Sequence, residues 1–121
     1  MIEIRYFVDQ QGKEPFRRWV DHLEREASRR VASRRVASRR VASRRVDRAL
    51  SRLMDGNTSS AKSVGEGVHE LKIDFGPGYR VYFGNQGSAI VVLLGGGTKK
   101  KQAQDIAAAK ERWAYYRRGV R

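Results

Sequence analysis

A five-residue block, Val-Ala-Ser-Arg-Arg, recurs from Ala27 to Val46 in four slightly imperfect copies. The first copy opens at Ala27 without its Val, and the last Val, Val46, leads into Asp47. No other feature constrains the fold as much. Three of the units account for 15 of the 121 residues, and removing them joins Arg30 to Val46 and leaves 106 residues. A chain of that length makes a single domain with its own modest core. The expected organisation is therefore one domain over 1–121, with the repeat at 27–46 as an insertion.

On a helix a five-residue step turns the side chain by about 140° net. Val31, Val36, Val41 and Val46 then point in four directions, so no apolar stripe forms and the array is expected not to bury itself on a core. Its Ala and Arg favour helix, and it contains no Gly or Pro. Arg30/Arg34, Arg35/Arg39 and Arg40/Arg44 are like charges at i, i+4 and oppose it weakly. The expectation is a long solvated helix, ordered by salt or bound anions.

Around the insertion, hydrophobic periodicity sets the elements. Ile2 to Val8 alternates as a strand. Pro15 suits a helix first turn, and Phe16, Trp19, Val20 and Leu23 form one helical face. Val46, Leu50, Leu53 and Met54 form a second, ended by Gly56-Asn57, with Thr58-Ser59-Ser60 as loop. Val68 to Phe75 and Tyr79 to Phe83 alternate as a hairpin. Taking Gly76-Pro77-Gly78 as its loop pairs Phe75 with Tyr79, Ile73 with Val81 and Leu71 with Phe83 on an apolar face, and Asp74 with Arg80 and Lys72 with Tyr82 on the other. Ala89 to Leu94 reads as a central buried strand ended by Gly95-Gly96-Gly97. A last helix runs from Lys101 to about Arg117, with Ile106, Ala109 and Trp113 on one side and Arg112, Arg117 and Arg118 near its C-terminus, where cations are favoured. The class is α+β in the order β-α-α-β-β-β-α, two N-terminal helices covering one face of a four-stranded, mostly antiparallel sheet, followed by a C-terminal helix.

The insertion falls where the two first helices need a tight turn. Twenty residues of helix span about 30 Å, so lengthening one helix alone would carry the chain away from the domain. Both helices can lengthen into a projecting hairpin, the insert can loop out, or the turn can vanish. The last case gives one helix from about Pro15 to Met54 and a homodimer that exchanges its first helix. The fused helix is the expected form.

Composition narrows the chemistry. With no Cys there is neither a disulfide nor a thiolate metal site, and no metal or cofactor is expected. No 18-residue apolar run or signal peptide is legible, so the chain is expected to be cytoplasmic with no membrane partner. The formal charge is +13, and it is still +7 without the six Arg of three repeat units. Such a balance favours a polyanion partner, nucleic acid or an acidic protein, although basicity also serves solubility alone. The eight Arg between Arg29 and Arg45 suggest a nucleic-acid arm, but charge runs are commonly solvated faces.

Several stretches outside the insertion carry a likeness. They are Phe16-x-x-Trp19-Val20-x-x-Leu23, Arg52-Leu53-x-x-Gly56-Asn57, Val64-Gly65-Glu66-Gly67-Val68-x-Glu70-Leu71-Lys72-Ile73, Gly76-Pro77-Gly78-Tyr79-Arg80-Val81-Tyr82-Phe83, and Leu94-Gly95-Gly96-Gly97-x-Lys99-x-x-Gln102-x-x-Asp105-Ile106. With these the chain resembles the RelE/ParE toxin superfamily, in its HigB-like branch of phage-type addiction-module killer proteins. The resemblance implies the toxin of a type II toxin–antitoxin pair, blocked by a helix-turn-helix antitoxin. Many such toxins cut messenger RNA on the ribosome without a metal, using a concave sheet lined with Lys and Arg.

That chemistry uses the RNA 2′-OH against the adjacent phosphate. It needs a base for the nucleophile, cations for the charge growing on phosphorus, and an acid for the leaving 5′-oxygen. By resemblance Arg80 stabilises the transition-state charge, its fork suiting a phosphate; it equally suits an ion pair with Asp74. Lys72 is assigned to phosphate binding with possible proton transfer, and Lys99 matches the family Lys after the Gly run. Tyr82 would stack on a base, or sit half-buried in the sheet. Lys100, Lys101, Arg117 and Arg118 would steer RNA. His22 and His69 read as surface and partly buried packing residues. Tyr115 and Tyr116 are the nearest acid/base candidates, and both also suit packing on Trp113. Gly95-Gly96-Gly97 lacks the Gly-Lys-Ser/Thr ending of a phosphate loop. With no clear acid or base, a ParE-like toxin that binds gyrase without catalysis, or a toxin disabled by the repeat, are the competing readings.

Overall fold

The computed structural model describes the backbone of residues 2–30 and 36–119, and the side chains of residues 2–23 and 42–119. The order is β1 (Glu3–Tyr6), α1 (Pro15–Arg30), α2 (Val36–Met54), β2 (Ala61–Gly65), β3 (Val68–Ile73), β4 (Tyr79–Gln86), β5 (Ile90–Thr98), a single 3₁₀ turn (Lys99–Lys101) and α3 (Gln102–Arg117). The class is α+β, as expected. The sheet has five strands rather than four, ordered β1-β5-β4-β3-β2. β1 lies parallel to β5 and every other pair is antiparallel.

The additional strand, β2, is the edge residues Ala61-Lys62-Ser63-Val64-Gly65, mostly exposed and without clean alternation. Periodicity is silent on such a strand because neither face is fully buried. Its Lys62 also suits an unpaired edge, where a charge discourages further strand addition.

Two cores lie on opposite faces of the sheet. On one, Phe16 and Leu23 of α1 and Ala42, Val46 and Leu53 of α2 pack with Leu71, Ile73, Val81, Phe83, Val91 and Leu93. On the other, Ala109 and Trp113 of α3 pack with Phe7, Val68, Tyr82, Val92 and Leu94. So the two N-terminal helices share one face, as expected, and the C-terminal helix covers part of the other.

The shared core corrects the fused helix. One straight helix from Pro15 to Met54 would hold Phe16 and Leu53 about 55 Å apart, yet both sit in one core of one chain. α1 and α2 therefore pack as a hairpin on their own sheet. Residues 31–35 and the side chains of 24–41 lie outside the described residues, and so does the solvated state expected for most of the repeat.

Burial of the repeat was expected nowhere, and that too is corrected for its last unit. Ala42 and Val46 are 5 % and 1 % exposed, and Ser43 is buried beside them. Ala42 and Val46 stand at i, i+4 and continue through Leu50 and Leu53, so this one copy falls in phase with the apolar face of α2. A 140° step forbids a stripe through all copies but not the docking of one.

The C-terminus of α2 closes as a Schellman motif. Gly56, at φ +86°, donates to the Leu53 carbonyl (3.0 Å) and Asn57 to the Arg52 carbonyl (2.9 Å). Gly provides the left-handed residue this closure requires. Among the described residues no helix is long and apolar enough to cross a membrane.

Candidate functional site

The β3–β4 hairpin determines which side chains meet, and its register differs from the expected one. Ile73 pairs with Tyr79, Lys72 with Arg80, Leu71 with Val81, Glu70 with Tyr82 and His69 with Phe83. The loop runs over Asp74–Gly78 and folds on itself: Phe75 N–H donates to the Ile73 carbonyl (2.9 Å) and Gly78 N–H to the Phe75 carbonyl (3.0 Å). This shift moves each partner by two residues and leaves every side chain on its expected face, because strand faces alternate with period two. Lys72 thus stands directly opposite Arg80, on the face that α3 partly covers.

Across the next ladder Arg80 pairs with Gly97, Val81 with Gly96 and Tyr82 with Gly95. The glycine run does not end β5, which continues to Thr98. Its glycines admit side chains from helices on both sides. A Cβ on Gly96 would collide with the Trp19 ring, one on Gly95 would lie 2.7 Å from an Arg112 guanidinium nitrogen, and one on Gly97 would collide with the Asp105 carboxylate. A pattern that reads as a strand terminator is instead a passage for close approach.

The result is a row Lys72–Arg80–Gly97 across three strands, with Asp105 of α3 lying on Gly97. Two interstrand spacings make it about 10 Å long. Lys72 is exposed, and Lys99, Lys100 and Lys101 form an exposed rim just past the end of β5. Asp105 is partly buried, and its carboxyl is held above the usual carboxylate range; burial is the main cause, and Lys101 and Arg112 oppose it.

Two residues inward along the strands, on the same face, lies a buried polar cluster that sequence reasoning missed. Glu70 is 2 % exposed. Its carboxylate accepts hydrogen bonds from the Tyr82 hydroxyl (3.0 Å) and the Gln102 side-chain amide (2.8 Å). Arg80 Nε lies 3.7 Å from it and Lys62 Nζ 3.8 Å. The signal available was Glu70 itself, an acid alternating onto the same face as Lys72 within a strand whose neighbours are apolar.

This cluster changes two assignments. Arg80 is 6 % exposed, with its guanidinium donating to the Gly78 carbonyl (3.0 Å) and Nε left without a hydrogen-bond acceptor among the described residues. Its ion-pair partner is Glu70, not Asp74. Tyr82 is fully buried, its hydroxyl committed to Glu70 and its ionisation pushed upward by burial and by that carboxylate. It has no free face on which a base could stack, so the stacking role is withdrawn.

Other expected residues scatter. Arg117 and Arg118 are exposed at the far end of α3, about 24 Å along the helix from the lysine rim. Arg112 instead turns inward: it donates to the Leu94 carbonyl (2.9 Å), and burial lowers its proton affinity. Tyr116 stacks on Trp113 at 5.5 Å and donates to Gln86 (2.6 Å), and Tyr115 meets Phe7 edge-on. Both tyrosines are packing residues away from the row. His22 is exposed and His69 is partly buried and stacks on Phe83 at 5.3 Å, as expected, but the His69 Nδ1 is buried without a hydrogen-bond partner among the described residues, where a satisfied histidine was expected. Among the described residues no three His, Asp or Glu side chains gather to hold a metal ion.

No protein-family model matches the chain. Over 65 residues, 54 % of the chain, it is 46 % identical to an uncharacterized protein of Haemophilus influenzae, and the match spans 66 % of that protein's length, just under two thirds.

Proposed function

We propose that the chain is the toxin of a toxin–antitoxin pair and cleaves messenger RNA on the ribosome. The observation that carries this is the row Lys72–Arg80–Gly97 with Asp105 resting on its end. It sets an exposed cation, a buried guanidinium and a partly buried carboxyl of raised proton affinity in one line across the sheet.

The reaction needs little else. Asp105 takes the proton of the 2′-OH, and the oxygen attacks the adjacent phosphorus. Arg80 and Lys72 stabilise the charge on the five-coordinate phosphorus. The P–O5′ bond breaks, and the leaving oxygen receives a proton from Lys72. The products are a 2′,3′-cyclic phosphate and a free 5′-hydroxyl. A carboxyl shifted upward by burial suits the base role, because proton transfer is most effective when the group's pKa lies near the working pH. Lys99, Lys100 and Lys101 steer the strand, and a helix-turn-helix antitoxin would block this face.

One observation favours the ParE-like reading: Glu70 neutralises part of Arg80, and Arg80 is buried. A binding toxin requires no exposed transition-state cation. Mapping transcript 5′ ends by primer extension in expressing cells separates the two. The proposal expects new ends within codons that disappear in Lys72→Gln and Asp105→Asn. Intact transcripts with accumulating DNA breaks would refute it in favour of gyrase poisoning.

A further inference from the structure

Away from the row, a groove of about 270 Å³ lies between α2 and the stretch of β3 that extends past the start of β2. One wall carries Arg45, Arg48 and Arg52, at i, i+3 and i+7 of α2 and hence on one helical stripe about 10 Å long. The other carries Ser59 and Ser60, and Lys72 closes it. All six of these residues are exposed. Four cations face a single lining carboxylate, Asp74, and none of the three arginines pairs with an acid among the described residues.

The groove is built rather than incidental. Arg45, from the last repeat unit, is held with its guanidinium carbon 4.7 Å above the Phe75 ring. Asn57 fixes the Ser59 loop by accepting from its backbone N–H (3.1 Å) and hydroxyl (2.8 Å). Lys72 N–H donates to the Ser60 carbonyl (3.3 Å), tying the groove wall to β3. Most of its lining is exposed and polar or cationic, with only Leu71 and Ile73 buried at its floor. Guanidinium forks beside hydroxyls match a phosphodiester backbone.

We infer that this groove binds the sugar–phosphate backbone of single-stranded RNA on one side of the cleaved bond, with Lys72 shared between the groove and the row. The inference rests on the nuclease reading for its choice of polyanion. A strand crossing the row would pass over the sheet edge at Lys72 and meet Arg52, Arg48 and Arg45 in turn. The last repeat unit thereby supplies one wall residue of the groove, Arg45.

The test is fluorescence anisotropy of the full chain with a short, labelled, 2′-O-methylated RNA that cannot be cleaved, across a salt series. Arg48→Gln/Arg52→Gln is expected to weaken binding about tenfold at low salt. It should also reduce the slope of log affinity against log salt by about 1.4, two phosphates at about 0.7 each. Both arginines are exposed, so the thermal midpoint should match the wild type. A wild-type slope in the double variant, no RNA binding by the wild type, or equal competition by polyglutamate would each overturn the inference. Codon-internal transcript ends seen alongside a wild-type slope would reject the groove and keep the nuclease reading. RNA gripped in the groove with intact transcripts would do the reverse.

Discussion

Replacing Glu70 by alanine strips the buried cluster of its only carboxylate, and the cost follows from the groups left behind. Arg80 is 6 % exposed and would lose its countercharge; breaking a buried ion pair from one side typically costs about 3–5 kcal/mol. The pair here is loose at 3.7 Å, and Arg80 keeps its bond to the Gly78 carbonyl, so the lower end applies. The buried Tyr82 hydroxyl also loses its acceptor, adding about 1 kcal/mol. Glu70→Ala should therefore destabilise the fold by about 3–4 kcal/mol. Glu70→Gln keeps an acceptor for Tyr82 but still leaves Arg80 without its countercharge, and should cost about 2–3 kcal/mol. Arg80→Met leaves Glu70 with Tyr82, Gln102 and Lys62 and should cost about 1–2 kcal/mol. Because the charges answer one another, Glu70→Ala/Arg80→Met should cost less than the sum of its parts, with a coupling of about 2 kcal/mol. Urea unfolding followed by the fluorescence of Trp19 and Trp113 measures all four corners. A loss below about 1 kcal/mol for Glu70→Ala, or a coupling within about 0.5 kcal/mol of zero, would refute the view that Glu70 holds Arg80 in place.

Other outcomes follow from single contacts. Burial raises the Asp105 proton affinity in the folded chain, so folding favours its protonated form and stability is lost as pH rises through its folded pKa. Asp105→Asn should therefore be more stable than wild type at pH 7 and equal to it in acid, while abolishing cleavage; equal thermal midpoints across the whole pH range would contradict the burial. A Cβ on Gly84 would lie 2.6 Å from the Trp113 ring, so Gly84→Ala should cost about 1–3 kcal/mol by displacing it, visible as a changed near-ultraviolet spectrum. Deleting residues 31–45 puts Ala27 in the place of Ala42, four residues before Val46. The shortened chain should keep the mass state of the full chain and its thermal midpoint within a few degrees while losing helical signal. A doubled solution mass in either form would argue for exchange of α1, and restored growth arrest on deletion alone would identify the repeat as disabling.

Local physics made much of this architecture legible. Phe16, Trp19, Val20 and Leu23 announce a helix by spacing alone, Gly56-Asn57 marks the end of the next, and alternation assigns each side chain of β3 and β4 to its face. Lys72 and Arg80 could be placed on one face from sequence because parity survives a two-residue change of register. Several features were not local. β2 is an edge strand defined by its hydrogen-bonded partner rather than by its own pattern. The five-residue Asp74–Gly78 loop depends on turn geometry that apolar pairing cannot distinguish from a shorter one. Gly95-Gly96-Gly97 reads as a strand end until Trp19, Arg112 and Asp105, contributed by helices far along the chain, occupy the missing side-chain space.

The amino-acid order alone determined the class, the helical faces and the side of the sheet on which each cation lies, since these depend on periods of 3.6 and 2 residues. Tertiary structure alone decided that Arg80 sinks beside Glu70, that Tyr82 is sealed, that Asp105 reaches the row and that one repeat unit docks through Ala42 and Val46. Those outcomes depend on which distant groups exclude water from a given side chain, and no local pattern encodes that.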